Sequence, residues 1–287
     1  MSETGIKALA CIALAVAGAA AASEITSELV TTSLIEDGKP VRLELLVSKP
    51  GGAGPFPTVV FNHGSTGRGN NPELFRRSQS SPEIAAYFVE RGWMVIFPQR
   101  RGRGASDGRY DEGFEPDRSR YTCHTNVSLA GVDRAIEDLD AVMSHIKARP
   151  DVRPDRMLIA GQSRGGILAI AYAGERPASF IGVVNFVGGW SGEACMNATR
   201  INSSAFRRGA KFPHPTLWLY GEQDFLYSLD HSKSNFEAFR AAGGKGQFHS
   251  YAAPGQAPGH FIIGHPALWS GDLTKYLEAL PVRTAVK

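Results

Sequence analysis

The sequence predicts an α/β fold with a mostly parallel central sheet and helices on both faces. Three observations carry this. Short apolar runs without polar alternation recur along the chain, as in strands buried on both faces. Segments of helical periodicity separate them. Each apolar run ends in a turn containing Gly, Pro or Asn, and strand-helix alternation of this kind implies parallel pairing through crossovers.

Residues 1–23 precede the expected fold. Lys7 leads into an uncharged apolar stretch from Ala8 to Ala22 that closes on small residues, the anatomy of a secretory signal peptide cleaved before Ser23 or Glu24. The expectation is a secreted or periplasmic protein with one catalytic domain over residues 24–287. No later stretch reaches transmembrane length. The run VRLELLV (41–47) alternates with period two, as an antiparallel edge strand would. TVVFN (58–62), WMVIFP (93–98), RMLIAG (156–161), GVVNFVG (182–188) and TLWLYG (216–221) are the continuous apolar runs.

Among the helices, SPEIAAYFVERG (81–92) has Ser81 as N-cap, Pro82 in the first turn and Gly92 as the stop. A longer one is expected to start after Ser128. Its apolar residues Leu129, Val132, Ile136, Leu139, Met143 and Ile146 share one face, and Arg149-Pro150 ends it. Residues 231–244 and 271–280 complete the set. Two polar stretches with scattered aromatics, 105–126 and 188–212, interrupt the alternation as insertions; segments of this length are functional or disordered, and a disulfide joining them would favour the first.

Composition excludes several functions. The formal net charge is +3 with both signs spread along the chain, which does not fit a nucleic-acid binder. No CxxC or HExxH spacing occurs and the eight histidines are scattered, so neither a metal nor another cofactor is expected. Beyond the leader the only cysteines are Cys123 and Cys195, one in each insertion. In an exported protein they read as a disulfide closing a loop of about 70 residues, worth about 4 kcal/mol in the chain-entropy model. Nothing in the pattern specifies an oligomeric state.

The chemistry concentrates past the carboxyl ends of the strands, where open α/β sheets gather functional residues. Gly161-Gln162-Ser163-Arg164-Gly165 fits G-x-S-x-G between a strand and a helix. A serine on so sharp a turn needs strained backbone angles, and side chains at 161 or 165 would collide with the neighbouring strand and helix. The helix N-terminus adds a positive dipole and a free Arg164 N–H. A serine hydroxyl then needs a base, and the base an orienting acid. Asp224 follows an apolar strand, and His260 lies in a Gly/Pro-rich loop before the last helix. His265 is its near rival, while His249 falls within a strand. An oxyanion hole needs two backbone donors: Arg164 N–H is one, and Ser65 N–H in NHGSTG (62–67) is the expected other. Asn62 and His63 read as braces of that loop.

The segments NHGSTG, PQRRGRGASDG, GQSRGG, YGEQD and PGHF, in this order, resemble the α/β-hydrolase superfamily, and in flavour its dienelactone-hydrolase-like branch and prolyl-oligopeptidase-like neighbours. The resemblance spans the chain beyond the leader. It implies nucleophile, acid and base roles for Ser163, Asp224 and His260, and oxyanion donors at Ser65 and Arg164. At the elbow the dienelactone hydrolases proper carry cysteine where this chain has serine. The expected activity is cleavage of a small-molecule carboxylic ester; the rival is a peptidase acting on short peptides. A peptidase of this kind needs acidic residues to hold a peptide amine, and Glu112 and Glu115 are the candidates. A third reading, a non-catalytic binding protein on the same scaffold, has no use for all three of Ser163, Asp224 and His260. Trp190 and Phe225 are the candidate substrate contacts. The Arg164 side chain has two readings, an anion receptor helped by Arg100, Arg101 or Arg103, or the partner of a carboxylate behind the elbow.

Overall fold

The computed structural model describes residues 24–281 apart from Thr66 and Gln256. The expected leader, residues 1–23, lies outside the described residues. Eight strands form one sheet: β1 (Ile25–Glu36), β2 (Lys39–Ser48), β3 (Phe56–Asn62), β4 (Met94–Pro98), β5 (Val152–Gln162), β6 (Gly182–Phe186), β7 (Thr216–Gly221) and β8 (Gly246–Tyr251). Their spatial order is β1-β2-β4-β3-β5-β6-β7-β8. β2 pairs antiparallel with β1 and β4, and every pairing from β4 to β8 is parallel. Six α-helices cover the sheet: α1 (Pro82–Val89), α2 (Thr125–Ala148), α3 (Arg164–Glu175), α4 (Ala198–Arg208), α5 (Leu229–Ala241) and α6 (Pro266–Glu278). Helix α1 touches α6, whereas α2, α3, α4 and α5 pack in succession.

The continuous apolar runs become the sheet interior because helices exclude water from both of their faces. Met157 through Ala160 of β5 are fully buried, as are Val183, Val184 and Phe186 of β6. Helix α3 is buried along almost its whole length, from Arg164 to Gly174. This follows from its place over the sheet centre, against β5 and β6. Burial of this extent supplies the main driving force of folding.

Three local expectations are corrected. The run 41–47 is not an edge: it lies in β2, covered by β1 on one side and β4 on the other. The edge is β1, whose sequence ITSELVTTSLIE alternates polar and apolar residues and whose outward positions stay exposed. Helix α2 begins at Thr125 rather than after Ser128. Its first turn is polar because it docks by hydrogen bonding, the Ser128 hydroxyl donating to the Thr122 carbonyl at 2.9 Å. The stretch 188–212 contains helix α4, which buries Ile201 and Phe206 and ends on Arg207 and Arg208.

Around α1, the Ser81 hydroxyl accepts from Ile84 N–H, so the N-cap read from the sequence is in place. A disulfide joins Cys123 to Cys195, 72 positions apart, and so ties one insertion to the other. Beside it Asn197 Nδ2 donates to the Cys123 carbonyl at 2.9 Å. The first insertion shares a small core with the segment before α1, in which Tyr110, Phe114 and Tyr121 pack with Phe75. Reducing the disulfide, or replacing both cysteines by serine, is expected to lower the unfolding free energy by about 4 kcal/mol. Urea denaturation of the oxidised protein and of the double variant measures this difference.

Candidate functional site

Ser163 joins β5 to α3 with φ 54° and ψ −123°, a left-handed backbone that costs about 1–3 kcal/mol in a residue other than glycine. The surroundings hold it there. Its amide donates to the Phe186 carbonyl at 2.9 Å, and its own carbonyl accepts from Gly166 and Gly189. Gly161 and Gly165 let the turn press against β3: a Cβ at 165 would run into the Asn62 and His63 carbonyls, and one at 161 into Gly165 and Asn62. The serine side chain stands at the carboxyl edge of the sheet, on the wall of a cleft of about 1400 Å³.

Asp224 follows β7 and His260 lies in a short 3-10 segment, Gly259–Gly264. The Asp224 Oδ1 accepts from the amides of Leu226 at 2.8 Å and Tyr227 at 3.1 Å, and Oδ2 lies 2.8 Å from His260 Nδ1. An ionised carboxylate only accepts, so His260 Nδ1 carries the hydrogen and Nε2 is left as the basic atom. Gln162 fixes the histidine backbone by donating from Nε2 to the His260 carbonyl at 3.1 Å. The rings of Phe225, Tyr227 and Phe261 each lie 5.6 Å from the imidazole. The rival histidines are elsewhere: His265 stands at the N-terminus of α6, and His249 faces Asp272 at 3.4 Å. Ser163, Asp224 and His260 thus come together from three separate chain segments.

Tyr227 is a residue that sequence reasoning missed. Buried on the cleft wall, it donates from its hydroxyl to the Gly189 carbonyl at 2.8 Å. Burial pushes the phenol's pKa up, and the nearby Arg164 charge only partly offsets it. Among the described residues no hydrogen bond joins Ser163 to His260; free enzymes often close that bond only when substrate binds. The available signal was the spacing Asp224-x-x-Tyr227, in which an aspartate caps amides two and three residues on.

The loop after β3 passes beside the serine, with a Cβ at Gly64 placed 3.4 Å from Ser163 Cβ. Ser65 and Arg164 line the cleft with Ser163. Asn62 and His63 brace this loop. Asn62 Nδ2 donates to the Ala160 carbonyl at 3.0 Å, and His63 is bonded through Nδ1 to the Gly64 carbonyl at 2.7 Å. His63 Nε2 accepts from Arg100 N–H at 3.2 Å, while the Arg100 guanidinium donates to the His63 carbonyl at 3.1 Å and the Gly64 carbonyl at 3.3 Å. Burial, together with the Arg100 and Arg103 charges, holds the His63 pKa well below its usual 6.5, so the imidazole is neutral.

The Arg164 side chain is the partner of a buried carboxylate. Its Nη1 donates to the Glu112 carbonyl at 2.8 Å and lies 3.4 Å from Glu112 Oε2, and Arg100 binds the other carboxylate oxygen. The guanidinium sits between the rings of Tyr121 at 3.4 Å and Trp190 at 4.5 Å. Burial alone would raise the Glu112 pKa, but the two arginines more than offset it and hold it below the ordinary value. The other arginines weighed for anion binding are also committed. Arg101 pairs with Asp138 and Glu137, and Arg103 is buried against Phe75 and Tyr110. Glu112 is therefore closed to a substrate amine, whereas Glu115 does line the cleft. Trp190 is 1% exposed and presents little beyond an edge, while Phe225 is 63% exposed and forms part of the rim. Among the described residues no cluster of His, Cys, Asp or Glu is arranged to hold a metal, and no helix is long and apolar enough to cross a membrane.

Comparison with known proteins bears on the family and the fold. Residues 44–257 match the model of the dienelactone hydrolase family. No curated protein sequence matches the chain. Among solved structures the esterase Pf2001 of Pyrococcus furiosus superposes with a TM-score of 0.61 at 16% identity, over 90% of this chain and 91% of that one. An acetyl xylan esterase from Paenibacillus sp. R4 gives 0.56 at 15% identity, over 90% and 89%. Dipeptidyl peptidase 4 of Porphyromonas gingivalis gives 0.58 at 15% identity, over 90% of this chain but only 35% of that protein. At these identities the shared property is the fold.

His63 makes the loop acid-sensitive. Its folded pKa lies below 6.5, so the unfolded chain takes up a proton first as the pH falls. Stability is therefore complete above about pH 6.5 and declines below it, with a slope approaching about 1.4 kcal/mol per pH unit from this residue. His63→Gln is expected to be less stable than the wild type at pH 8, and the gap is expected to narrow from pH 6.5 to pH 5 in urea titrations.

Proposed function

The chain belongs to the dienelactone hydrolase family, and on that basis we propose that it is a serine hydrolase of carboxylic esters working through Ser163, His260 and Asp224. The observation that carries this reading is the serine on its strained turn, within one cleft with a histidine whose second nitrogen is held by a buried aspartate. His260 Nε2 takes the Ser163 proton as the serine attacks the ester carbonyl. Asp224 holds the tautomer and balances the imidazolium charge. The Ser65 and Arg164 amides receive the oxyanion, each contributing about 3 kcal/mol. His260 then protonates the departing alcohol, and water hydrolyses the acyl-enzyme. Phe225 at the rim and the Trp190 edge are the proposed contacts to the substrate's apolar part. The chemistry uses no cofactor.

Esters are favoured over short peptides for two reasons. Glu112, one of the two acidic residues suited to holding a peptide amine, is consumed by Arg100 and Arg164. The two esterases are also matched over about nine tenths of their length, whereas the peptidase is matched over 35% of its own. The disulfide suits an oxidising compartment, consistent with a leader at residues 1–23 and export of a single domain, 24–287.

A panel of p-nitrophenyl esters beside aminoacyl anilides tests the reading. Ester turnover at least tenfold faster than anilide turnover is expected, with Ser163→Ala losing about 10⁴-fold or more in kcat. Full activity of the alanine variant would remove Ser163 from its role, and faster anilide cleavage would select the peptidase reading.

A further inference from the structure

Phe225 and Phe261 are the only exposed phenylalanines among the described residues, at 63% and 50%, and both line the cleft. A single apolar side chain in water needs no explanation. These two, however, adjoin one another at 6.0 Å between ring centres, and each lies 5.6 Å from the His260 imidazole. The three rings form a nearly regular triangle in which only the imidazole is buried. Tyr227, the other aromatic neighbour of the imidazole, is buried and already has its packing partners.

Each phenylalanine directly follows a proposed catalytic residue in the chain, so the backbone that fixes the one fixes the other. Asp224 Oδ1 accepts from the Leu226 and Tyr227 amides, which closes a tight turn around Phe225. Phe261 N–H donates to the Pro258 carbonyl at 3.0 Å, while Ile262 and Ile263 anchor the segment in the core. Both rings are thus held in water by backbone with little freedom to bury them.

The chemistry of acylation decides which part of an ester meets them. The carbonyl oxygen goes to the oxyanion donors and the carbonyl carbon to Ser163 Oγ. The leaving oxygen takes a proton from His260, so it must come within hydrogen-bond distance of Nε2. The group carried by that oxygen therefore lies among the neighbours of the imidazole. The acyl chain hangs from the carbonyl carbon and has no such tether. We propose that Phe225 and Phe261 form the subsite for the alcohol part of the ester, selecting bulky apolar alcohols of the benzyl type. A ring placed against the pair withdraws apolar surface from water and meets aromatic partners in edge-to-face or offset contact. At about 1400 Å³ the cleft has room for it.

This inference rests on the proposed ester hydrolysis by Ser163 and His260, and the test separates the two. Benzyl acetate and methyl phenylacetate are isomers that carry the phenyl ring on opposite sides of the ester. Their kcat/KM values, each divided by that for methyl acetate, are measured for the wild type, Phe225→Ala and Phe261→Ala. Such ratios are properties of active molecules alone, so partial loss of folded protein does not alter them. Each substitution is expected to lower the benzyl acetate ratio about tenfold, and the methyl phenylacetate ratio by less than about twofold. An equal fall in both ratios, or a larger one for methyl phenylacetate, takes the rings away from the alcohol side and overturns the inference. Unchanged ratios with uniformly slower turnover leave the rings as mere supports of His260, and overturn it while the ester reading stands. A wild type that hydrolyses none of the three esters overturns the ester reading and this inference with it.

Discussion

The structure around the site depends on the close approach of the Ser163 turn to strand β3. β3 lies between β4 and β5, and its last residue, Asn62, is registered against Gly161. Because Gly161 and Gly165 have no side chains, the turn settles onto the Asn62 and His63 carbonyls and the serine keeps its left-handed backbone. The same contact brings the loop after β3 within reach of the serine. One packing constraint therefore sets both the backbone of Ser163 and the position of the loop after β3 beside it. The strain at Ser163 persists because helix α3, buried from Arg164 to Gly174, and the buried carboxyl half of strand β5 over-determine it.

Behind that contact lies a buried ionic group that ties the loop to the helix. Glu112 accepts from Arg100 and Arg164, Arg100 reaches the carbonyls of the loop, and Arg164 opens α3. Removing one member would leave a buried charge uncompensated, a far larger loss than any surface pair carries. The two insertions complete the arrangement. Tyr121 comes from one and Trp190 from the other, and the Arg164 guanidinium lies between them while the disulfide joins the same two stretches. Polar segments that interrupt the strand-helix alternation thus become the wall of the cleft.

Much of this was legible in the sequence, for identifiable physical reasons. Strands β3 to β7 are buried on both faces, and burial on both faces leaves an uninterrupted apolar run. The serine turn carries its glycines because no other residue fits. Asp224 and His260 each follow an element end, where a polar side chain has no packing role. What escaped was set by tertiary context. β1 is an amphipathic edge strand, so its Thr, Ser and Glu residues disguised it and left β2 looking like the border. Glu112 read as a surface acid available to substrate, since nothing local shows that two arginines distant in sequence converge on it. The Arg164 side chain admits two readings from the sequence for the same reason. Tyr227 carries no local signal of its place on the cleft wall: its hydroxyl bonds to the Gly189 carbonyl, 38 positions earlier, and periodicity carries no trace of such a contact.

The proposed nucleophile is Ser163, activated by His260 and Asp224. Treating the protein with a fluorophosphonate and mapping the modified peptide by mass spectrometry tests this role. One adduct per chain, located on Ser163 and abolished by His260→Ala, is the predicted result. An adduct on another residue, or an unmodified Ser163 in folded protein, would contradict the account.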